Sequence, residues 1–304
     1  MLNMKSLRES LLDDDLDVSF DKNIKAEIKA FLKQNYRGHS GCKISRQPNS
    51  NGKYEVSSTK NIEVVNRNIN SLTNGTFVWT EVAGDFNCSH CPRLESLEGA
   101  PRIVRNFDCS ICISLKTLKG APEKVLGTFF SRSCRWLESL EGAPKEIGKS
   151  FFCNGCYALK TLKGAPKEVG GDFNCSDCIN LTSLKGAPQS YIKFFKCDGC
   201  CSLTNLKGAP QKISNFTCSR CNGLRSLEGA PKEAIDRFIC SDCPFLKSLK
   251  GAPQTVKFFN ASNNANLRSL DGLPEEVDYV WVPRHFTEDD VRKICKVRDY
   301  VAVY

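Results

Sequence analysis

One unit of 21 or 22 residues occurs nine times in succession, and this repetition constrains the fold more than any other feature of the chain. The unit reads F-x-C-S-x-C-x-x-L-x-S-L-x-G-A-P-x-x-V. A unit this short cannot bury its own apolar side chains, so it must stack on its neighbours in a solenoid. The copies begin at Phe86, Phe107, Phe129, Phe151, Phe173, Phe195, Phe216, Phe238 and Phe259.

The start of each unit alternates as a short strand does. In the first copy Phe86 and Cys88 would point inward, while Asn87 and Ser89 would point outward. The two leucines of each unit return to the same core, and Gly-Ala-Pro excludes a helix interior because proline lacks a donor and restricts the residue before it. We therefore predict a repeat solenoid with one parallel sheet of short strands and a largely extended or irregular convex side.

The columns of the repeat resemble a known family. Val82, Phe86, Cys88, Cys91 and Leu94 match the leucine-rich-repeat pattern L-x-x-L-x-L-x-x-(N or C)-x-L, with one extra residue at each end. The resemblance covers residues 86–280 and implies an α/β leucine-rich-repeat coil. The Gly-Ala-Pro variant is similar to uncharacterised repeat proteins of bacteriophages and large DNA viruses, and to the repeats of bacterial effectors. Phe and Cys replace the family's strand leucines, which changes the core but not the expected fold.

The chain divides into four predicted parts. Residues 1–53 form an N-terminal segment with a capping helix at about 21–36, whose Ile24, Ile28 and Phe31 share one face. Residues 1–19 either lack order or add a short helix at 7–12. Capping strands and a degenerate repeat follow at 54–85, and the nine repeats occupy 86–280. Residues 281–304 form a C-terminal cap with a helix at about 288–297, where Thr287 precedes three acidic residues. Helical caps are thus expected at both ends.

The 18 cysteines mostly follow the repeat, and their C-x-x-C pairs permit two interpretations. Pairs about 20 residues apart fit a zinc ribbon. We favour a structural packing ladder, because Ser131, Ala261 and Asn264 replace cysteine in some units and would break a ligand set. No metal or cofactor is therefore predicted. The ladder consists of Cys88, Cys91, Cys109, Cys112, Cys134, Cys153, Cys156, Cys175, Cys178, Cys197, Cys200, Cys218, Cys221, Cys240 and Cys243.

No catalytic pattern stands out in the sequence. The three histidines, His39, His90 and His285, have no recurring partner, and no phosphate-binding loop, nucleophile elbow or H-E-x-x-H pattern occurs. A catalytic cysteine needs an adjacent base and a lowered pKa, whereas burial in the ladder would raise the pKa. We expect a protein that is not an enzyme and has no small-molecule substrate.

The outward strand columns hold the candidate binding residues. Most are small and polar, but Phe130 and Phe152 are neighbours on adjacent copies, and Arg132 lies close by. Clustered exposed aromatic residues mark contact sites. The alternative is a slipped register in which Phe129 and Phe151 point outward instead. The predicted protein-binding face contains Phe130, Arg132, Phe152, Phe194, Lys196, Arg237, Ile239 and Phe258.

The net charge of +9 is spread along the sequence. Residues 1–53 contain 10 basic and 7 acidic residues, residues 54–85 contain 2 and 4, and residues 86–304 contain 31 and 23. A nucleic-acid binder usually concentrates its excess charge, so we expect no such partner, and adjacent Lys185 and Lys207 are the single hint of one. Beside the leucines, Glu95 and Glu98 alternate with Lys116 and Lys119, which predicts register support between neighbouring copies.

No apolar run is long enough for a membrane span, and the acidic N-terminus argues against an export signal. Reduced cysteines indicate a reducing compartment, hence the cytoplasm, or the host cytoplasm for a viral protein. The first functional hypothesis is a protein-binding scaffold that uses the strand face. The alternatives are a structural or self-associating component, and a zinc protein.

Overall fold

Residues 21–304 are described in a computed structural model, in which they form a β-solenoid of about twelve stacked turns. The possible short helix at 7–12, and the rest of the segment before residue 21, lie outside the described residues. Each copy of the unit contributes one turn, called a rung below. The predicted repeat solenoid is confirmed.

A 13-stranded front sheet runs along the whole solenoid. All of its neighbouring strands are parallel except β1 and β4, and equivalent residues pair from rung to rung, as Phe129 does with Phe151. Its strands, in spatial order, are β1 (Tyr36–Arg37), β4 (Ile62–Val64), β6 (Phe86–Asn87), β8 (Phe107–Asp108), β10 (Phe129–Phe130), β12 (Phe151–Phe152), β14 (Phe173–Asn174), β15 (Ile192–Lys196), β16 (Lys212–Thr217), β17 (Glu233–Ile239), β18 (Phe258–Asn260), β19 (Glu276–Val282) and β20 (Lys296–Val303).

A second, seven-stranded back sheet corrects the prediction of a single sheet. Its strands, in spatial order, are β13 (Glu168–Val169), β11 (Glu146–Ile147), β9 (Lys124–Val125), β7 (Ile103–Val104), β5 (Phe77–Val82), β3 (Tyr54–Ser58) and β2 (Cys42–Ile44). The x-x-V end of the unit forms β7, β9, β11 and β13, because Val104, Val125 and their equivalents are buried and their backbones pair along the solenoid. The other three strands precede the first unit. Only β2 and β3 are antiparallel in this sheet.

The two sheets meet at a corner that glycine permits. Where the corners of adjacent rungs stack, backbone packs directly on backbone. A Cβ atom on Gly148 would therefore lie closer to the Leu126 carbonyl oxygen than Cβ atoms come to other atoms in proteins. From residue 192 onward the corner contains no glycine, and the two short strands of a rung merge into one longer strand, as in β15, except in the rung of the three-residue β18. The front sheet is therefore broader in the C-terminal half.

Helix is scarce, so the structure does not support the α/β class, and the predicted extent of the C-terminal helix is wrong. Among residues 21–304 the helices are α1 (residues 21–35), a 3₁₀ turn at His39–Gly41, and α2 (Glu288–Arg292). The helix predicted to reach residue 297 ends early because Lys296 begins β20, which pairs in parallel with β19. Val297 and Val301 are buried there, and a register shift in the pairing with β19 interrupts the strict alternation of a strand.

The core consists of columns that run the length of the solenoid. The inward phenylalanine rings stack with centroids 5.2–5.7 Å apart and planes within 3–22° of parallel, from Phe86 to Phe259. The ladder cysteines and both leucine columns are buried. Even the last leucine pair, Leu267 and Leu270, is only 1–2% exposed. Phe129 and Phe151 are fully buried, so the slipped register is wrong.

Candidate binding surface on the front sheet

The outward side of the front sheet, called the strand face below, presents three columns of side chains. One precedes the inward phenylalanine, one follows it, and one follows the first cysteine. Parallel pairing in register places equivalent residues of successive rungs side by side, at about 4.8 Å. Residues 21 or 22 apart in the sequence therefore become neighbours on this face.

An aromatic cluster lies on β10 and β12. The Phe130 and Phe152 rings stack with centroids 5.5 Å apart and planes 11° from parallel. The Arg132 guanidinium carbon lies 4.7 Å from the Phe130 centroid and 4.5 Å from that of Phe152. Both rings are half-buried and Arg132 is exposed. We call these three residues the Phe-Arg cluster, in which the cation rests on two aromatic faces that attract it.

The guanidinium of Arg132 is available to a binding partner. No carboxylate among residues 21–304 lies within salt-bridge distance of it. The backbone of Arg132 is fixed by a hydrogen bond from its amide N–H to Ser110 Oγ at 3.2 Å. A planar guanidinium with five N–H donors, held on aromatic rings, is suited to donate two parallel hydrogen bonds to a carboxylate.

The other predicted face residues lie in the C-terminal half. Phe194, Arg237, Ile239 and Phe258 line a shallow depression of about 810 Å³ across β15 to β19. Lys196 is not in its lining, although its Nζ lies 5.6 Å from the Phe194 ring centroid. The structure thus separates the predicted residues into the Phe-Arg cluster and this depression, with one intervening rung that carries Asn174.

Aromatic rings and cations also meet in the depression. Phe258 packs edge-on against Trp281, with centroids 5.0 Å apart, and the Arg237 guanidinium carbon lies 5.9 Å from the Phe258 centroid. Asp236 pairs with Lys257 at 3.6 Å, whereas Arg237 has no carboxylate within salt-bridge distance among the described residues.

The depression is also lined by Tyr279 and Trp281, which were not predicted from the sequence. They occupy the outward positions of a further rung, where Tyr279 pairs with Phe258 and Trp281 with Asn260. That rung begins with Val280 instead of phenylalanine, so it lacks the motif. The 21-residue spacing from Phe259 to Val280 is the signal that could have revealed both residues.

The cysteine ladder lies in the core, away from the strand face, and its geometry is that of packing. All 18 cysteines are free thiols. The second cysteine of a rung donates to the carbonyl of the first cysteine one rung earlier, as Cys112 does to Cys88 at 3.1 Å and Cys178 to Cys153 at 3.3 Å. Asn264 makes the same contact to Cys240 at 2.9 Å, which explains how asparagine substitutes there.

Burial controls the acidity of most ladder thiols. It raises the pKa of Cys218 and Cys240 well above the ordinary thiol value. Cys91 is an exception to our expectation: its hydrogen bond with Cys112 and the nearby positive charge of Arg67 lower its pKa. Its side chain is nevertheless fully buried, out of reach of a substrate. In residues 21–304 no three His, Cys, Asp or Glu side chains are arranged to hold a metal ion.

None of the helices in the described part of the chain is long and apolar enough to cross a membrane. We also compared the chain with models of protein families, with curated proteins and with solved structures, and none of the three comparisons found a match.

Proposed function

We propose that this protein is a non-enzymatic scaffold that binds another protein through the strand face. The observation that carries the proposal is the exposed Arg132 guanidinium, which stacks on the Phe130–Phe152 pair and has no carboxylate partner among residues 21–304. Arginine and aromatic side chains supply most of the binding energy in protein interfaces, particularly where a rigid backbone presents them. Both phenylalanines lie on paired strands, so little conformational freedom remains to be lost on binding.

The arrangement favours a partner segment that contributes a carboxylate and an apolar side chain. The carboxylate would bind Arg132, and the apolar group would contact the ring edges beside it. The depression begins at Phe194, two rungs beyond Phe152, hence about 10 Å away. One partner of ordinary interface size reaches both places.

Three finer proposals accompany this function. The sequence pattern supports assigning the coil to the leucine-rich-repeat class, with α1 and α2 as caps: Ile28 and Leu32 of α1, and Val291 of α2, pack against the core. Eighteen free thiols support a reducing compartment, the cytoplasm. A viral or bacterial source, and hence a host protein as partner, is supported by the sequence resemblance alone.

The test is capture of partners from a host lysate by immobilised full-length protein. We expect the double variant Phe130→Ser/Phe152→Ser to lose the captured protein, with a change in Tm of no more than a few degrees, since both rings are only half-buried. The matched control is Leu126→Ser/Tyr191→Ser, which removes two exposed apolar side chains away from the strand face. It should capture the partner as the wild type does.

Two results would contradict the proposal. Equal capture by both double variants would mean that the Phe-Arg cluster is not the binding site. A large drop in Tm for Phe130→Ser/Phe152→Ser would assign these rings to the core instead. Capture of the protein's own chain alone would favour the self-associating alternative.

A further inference from the structure

A basic surface lies on the flank of the solenoid formed by the leucine segments. In rungs four to nine, the residue after each of the two leucines points outward and is exposed. These twelve positions hold two acidic residues, Glu228 and Asp271, and two threonines. The remaining eight are basic, so the surplus is 8 − 2 = 6 positive charges. We call the eight residues the basic flank: Lys160, Lys163, Lys185, Lys207, Arg225, Lys247, Lys250 and Arg268.

Most of this charge has no carboxylate partner within the part of the chain that the structure describes. Lys163 pairs with Glu141 at 3.1 Å and Lys207 with Glu228 at 2.9 Å. The other six cations have no carboxylate within salt-bridge distance in the described part of the chain. The equivalent positions of the first three rungs differ, because there Glu95 and Glu98 alternate with Lys116 and Lys119. Charge is thus segregated along one side of the molecule.

The backbone holds the basic residues in a rigid array. Thr182 N donates to Lys160 O at 3.0 Å, and Arg268 N donates to Lys247 O at 3.2 Å, which fixes adjacent rungs in register. Five rung spacings of about 4.8 Å make the array roughly 24 Å long and two side chains wide. These dimensions fit a strand of several nucleotides lying along the solenoid axis.

Two further features of the flank suit a nucleic-acid strand. The Phe245 ring is 52% exposed, and the Arg225 guanidinium carbon lies 6.0 Å from its centroid, so a base can stack beside a cation. Ser183 Oγ accepts from Lys185 N at 3.1 Å, which leaves the hydroxyl hydrogen free to be donated to a phosphate oxygen.

We propose that the basic flank binds single-stranded nucleic acid without sequence preference, through phosphate contacts of its six unpaired cations and stacking of one base on Phe245. The proposal goes beyond protein binding by the strand face and uses none of its residues. It also reverses our sequence-based expectation of no nucleic-acid partner. Cations of neighbouring rungs lie about 20 residues apart in the chain, and only folding brings the six rungs together.

The test is fluorescence anisotropy of a labelled 20-nucleotide oligo(dT) or oligo(U), titrated with full-length protein at several salt concentrations. Six phosphate contacts predict a slope of log K against log salt of about −4, at roughly 0.7 per contact on a single strand. In the variant Lys160→Glu/Lys185→Glu/Lys250→Glu the slope should fall in magnitude by about 2, and binding at 50 mM salt should weaken at least tenfold.

The matched control is Lys22→Glu/Lys29→Glu/Lys43→Glu, which makes the same change in net charge at exposed positions near the N-terminus and should bind almost as the wild type does. A separate Phe245→Ala variant should weaken oligonucleotide binding by roughly tenfold, yet leave heparin binding unchanged, because only a nucleic acid supplies a base to stack. The Phe130→Ser/Phe152→Ser variant should bind oligonucleotide normally, which separates this surface from the strand face.

Several results would overturn the proposal. One is the absence of oligonucleotide binding at 50 mM salt, and another is equal loss in the flank and control variants. Binding to anionic phosphatidylserine vesicles or to heparin, without binding to the oligonucleotide, would assign the charge to a different partner. An unchanged affinity in Phe245→Ala would remove the base-stacking contact that distinguishes a nucleic acid from other polyanions.

Discussion

The glycine of Gly-Ala-Pro is the residue on which rung stacking depends most. In the eight Gly-Ala-Pro units, and at Gly272 of the Gly-Leu-Pro in the ninth, the φ of this glycine lies between +84° and +98°, in the left-handed region that side chains disfavour. At Gly142 a Cβ atom would also lie 2.5 Å from the backbone nitrogen and Cα of Lys119 on the preceding rung. The residue before the second cysteine of a rung also has a left-handed φ. This position tolerates Asp177 and even Ile111, because the side chain there points to solvent.

We predict that Gly142→Ala lowers the free energy of unfolding by at least about 2 kcal/mol, because backbone strain and overpacking against a rigid neighbour add together. The matched control is Gly52→Ala, where φ is +70° but nothing lies within 4 Å of the added atom, so only strain of about 1 kcal/mol is expected. Urea unfolding of both variants measures the difference. Equal losses would mean that close approach of the rungs contributes nothing.

At the scale of the strand and turn, the sequence correctly predicted the features that recur in every copy of the repeat, such as which strand residues point inward. The inward Phe129 and Phe151 follow from alternation that recurs nine times, and so does the outward pair Phe130 and Phe152. The back sheet was missed because a two-residue strand such as Ile103–Val104 is too short to show a period.

The C-terminal end was mispredicted for a different reason. Val291, Ile294 and Cys295 suggest a helix, while Val297, Val301 and Val303 also fit a strand, so the sequence there supports both. Pairing with β19 decides the outcome in favour of β20, and that contact is tertiary. Tyr279 and Trp281 were missed for a related reason, since their rung has lost the motif but kept the spacing.

The cysteine ladder yields a prediction at this same scale, from two adjacent residues. Cys200 is fully buried and donates to the Cys175 carbonyl at 3.3 Å on the preceding rung, whereas Cys201 is half-buried and donates to the Gly199 carbonyl of its own turn. Cys200→Ala should therefore cost about 1–2 kcal/mol, through a small cavity and an unsatisfied carbonyl. Cys201→Ala should cost less than about 0.5 kcal/mol.

The two alanine variants are compared by urea unfolding under reducing conditions. The same pair tests the zinc alternative, because metal analysis of each purified protein accompanies the unfolding curve. Equal stabilities would contradict the packing role of the ladder. A loss of bound zinc specific to Cys200→Ala would identify the ladder as a metal site.

For the whole molecule, stacking converts a period in sequence into adjacency in space. The strand face and the basic flank are both products of this conversion, since each is assembled from residues of different rungs. The strand face could be anticipated because aromatic residues are rare among its outward positions, so a single pair is conspicuous. The basic flank was anticipated only as the adjacent pair Lys185 and Lys207, because single lysines are ordinary in any one unit and only their sum over six rungs is unusual.

The same stacking should make the whole protein less stable at alkaline pH. The ordinary pKa of a thiol here is 9.0, and burial raises the pKa of Cys197, Cys218 and Cys240 well above it. Below pH 9 these thiols are protonated in both the folded and unfolded chains, so their contribution is fully present. Above pH 9 the unfolded chain loses protons that the folded chain retains, and the free energy of unfolding therefore falls.

These three thiols alone should lower the free energy of unfolding by about 4 kcal/mol in all between pH 8 and pH 10, with a slope that steepens toward about 1.4 kcal/mol per thiol and pH unit until the folded protein also ionises. Urea unfolding at pH 8, 9 and 10 with a reductant present measures this slope. The variant Cys218→Ala should be less stable at pH 8 but lose stability less steeply, since one titrating thiol is gone. A urea midpoint that stays constant from pH 8 to 10 would show that the thiols reach solvent in the folded state, and the continuous apolar core described above would then be wrong.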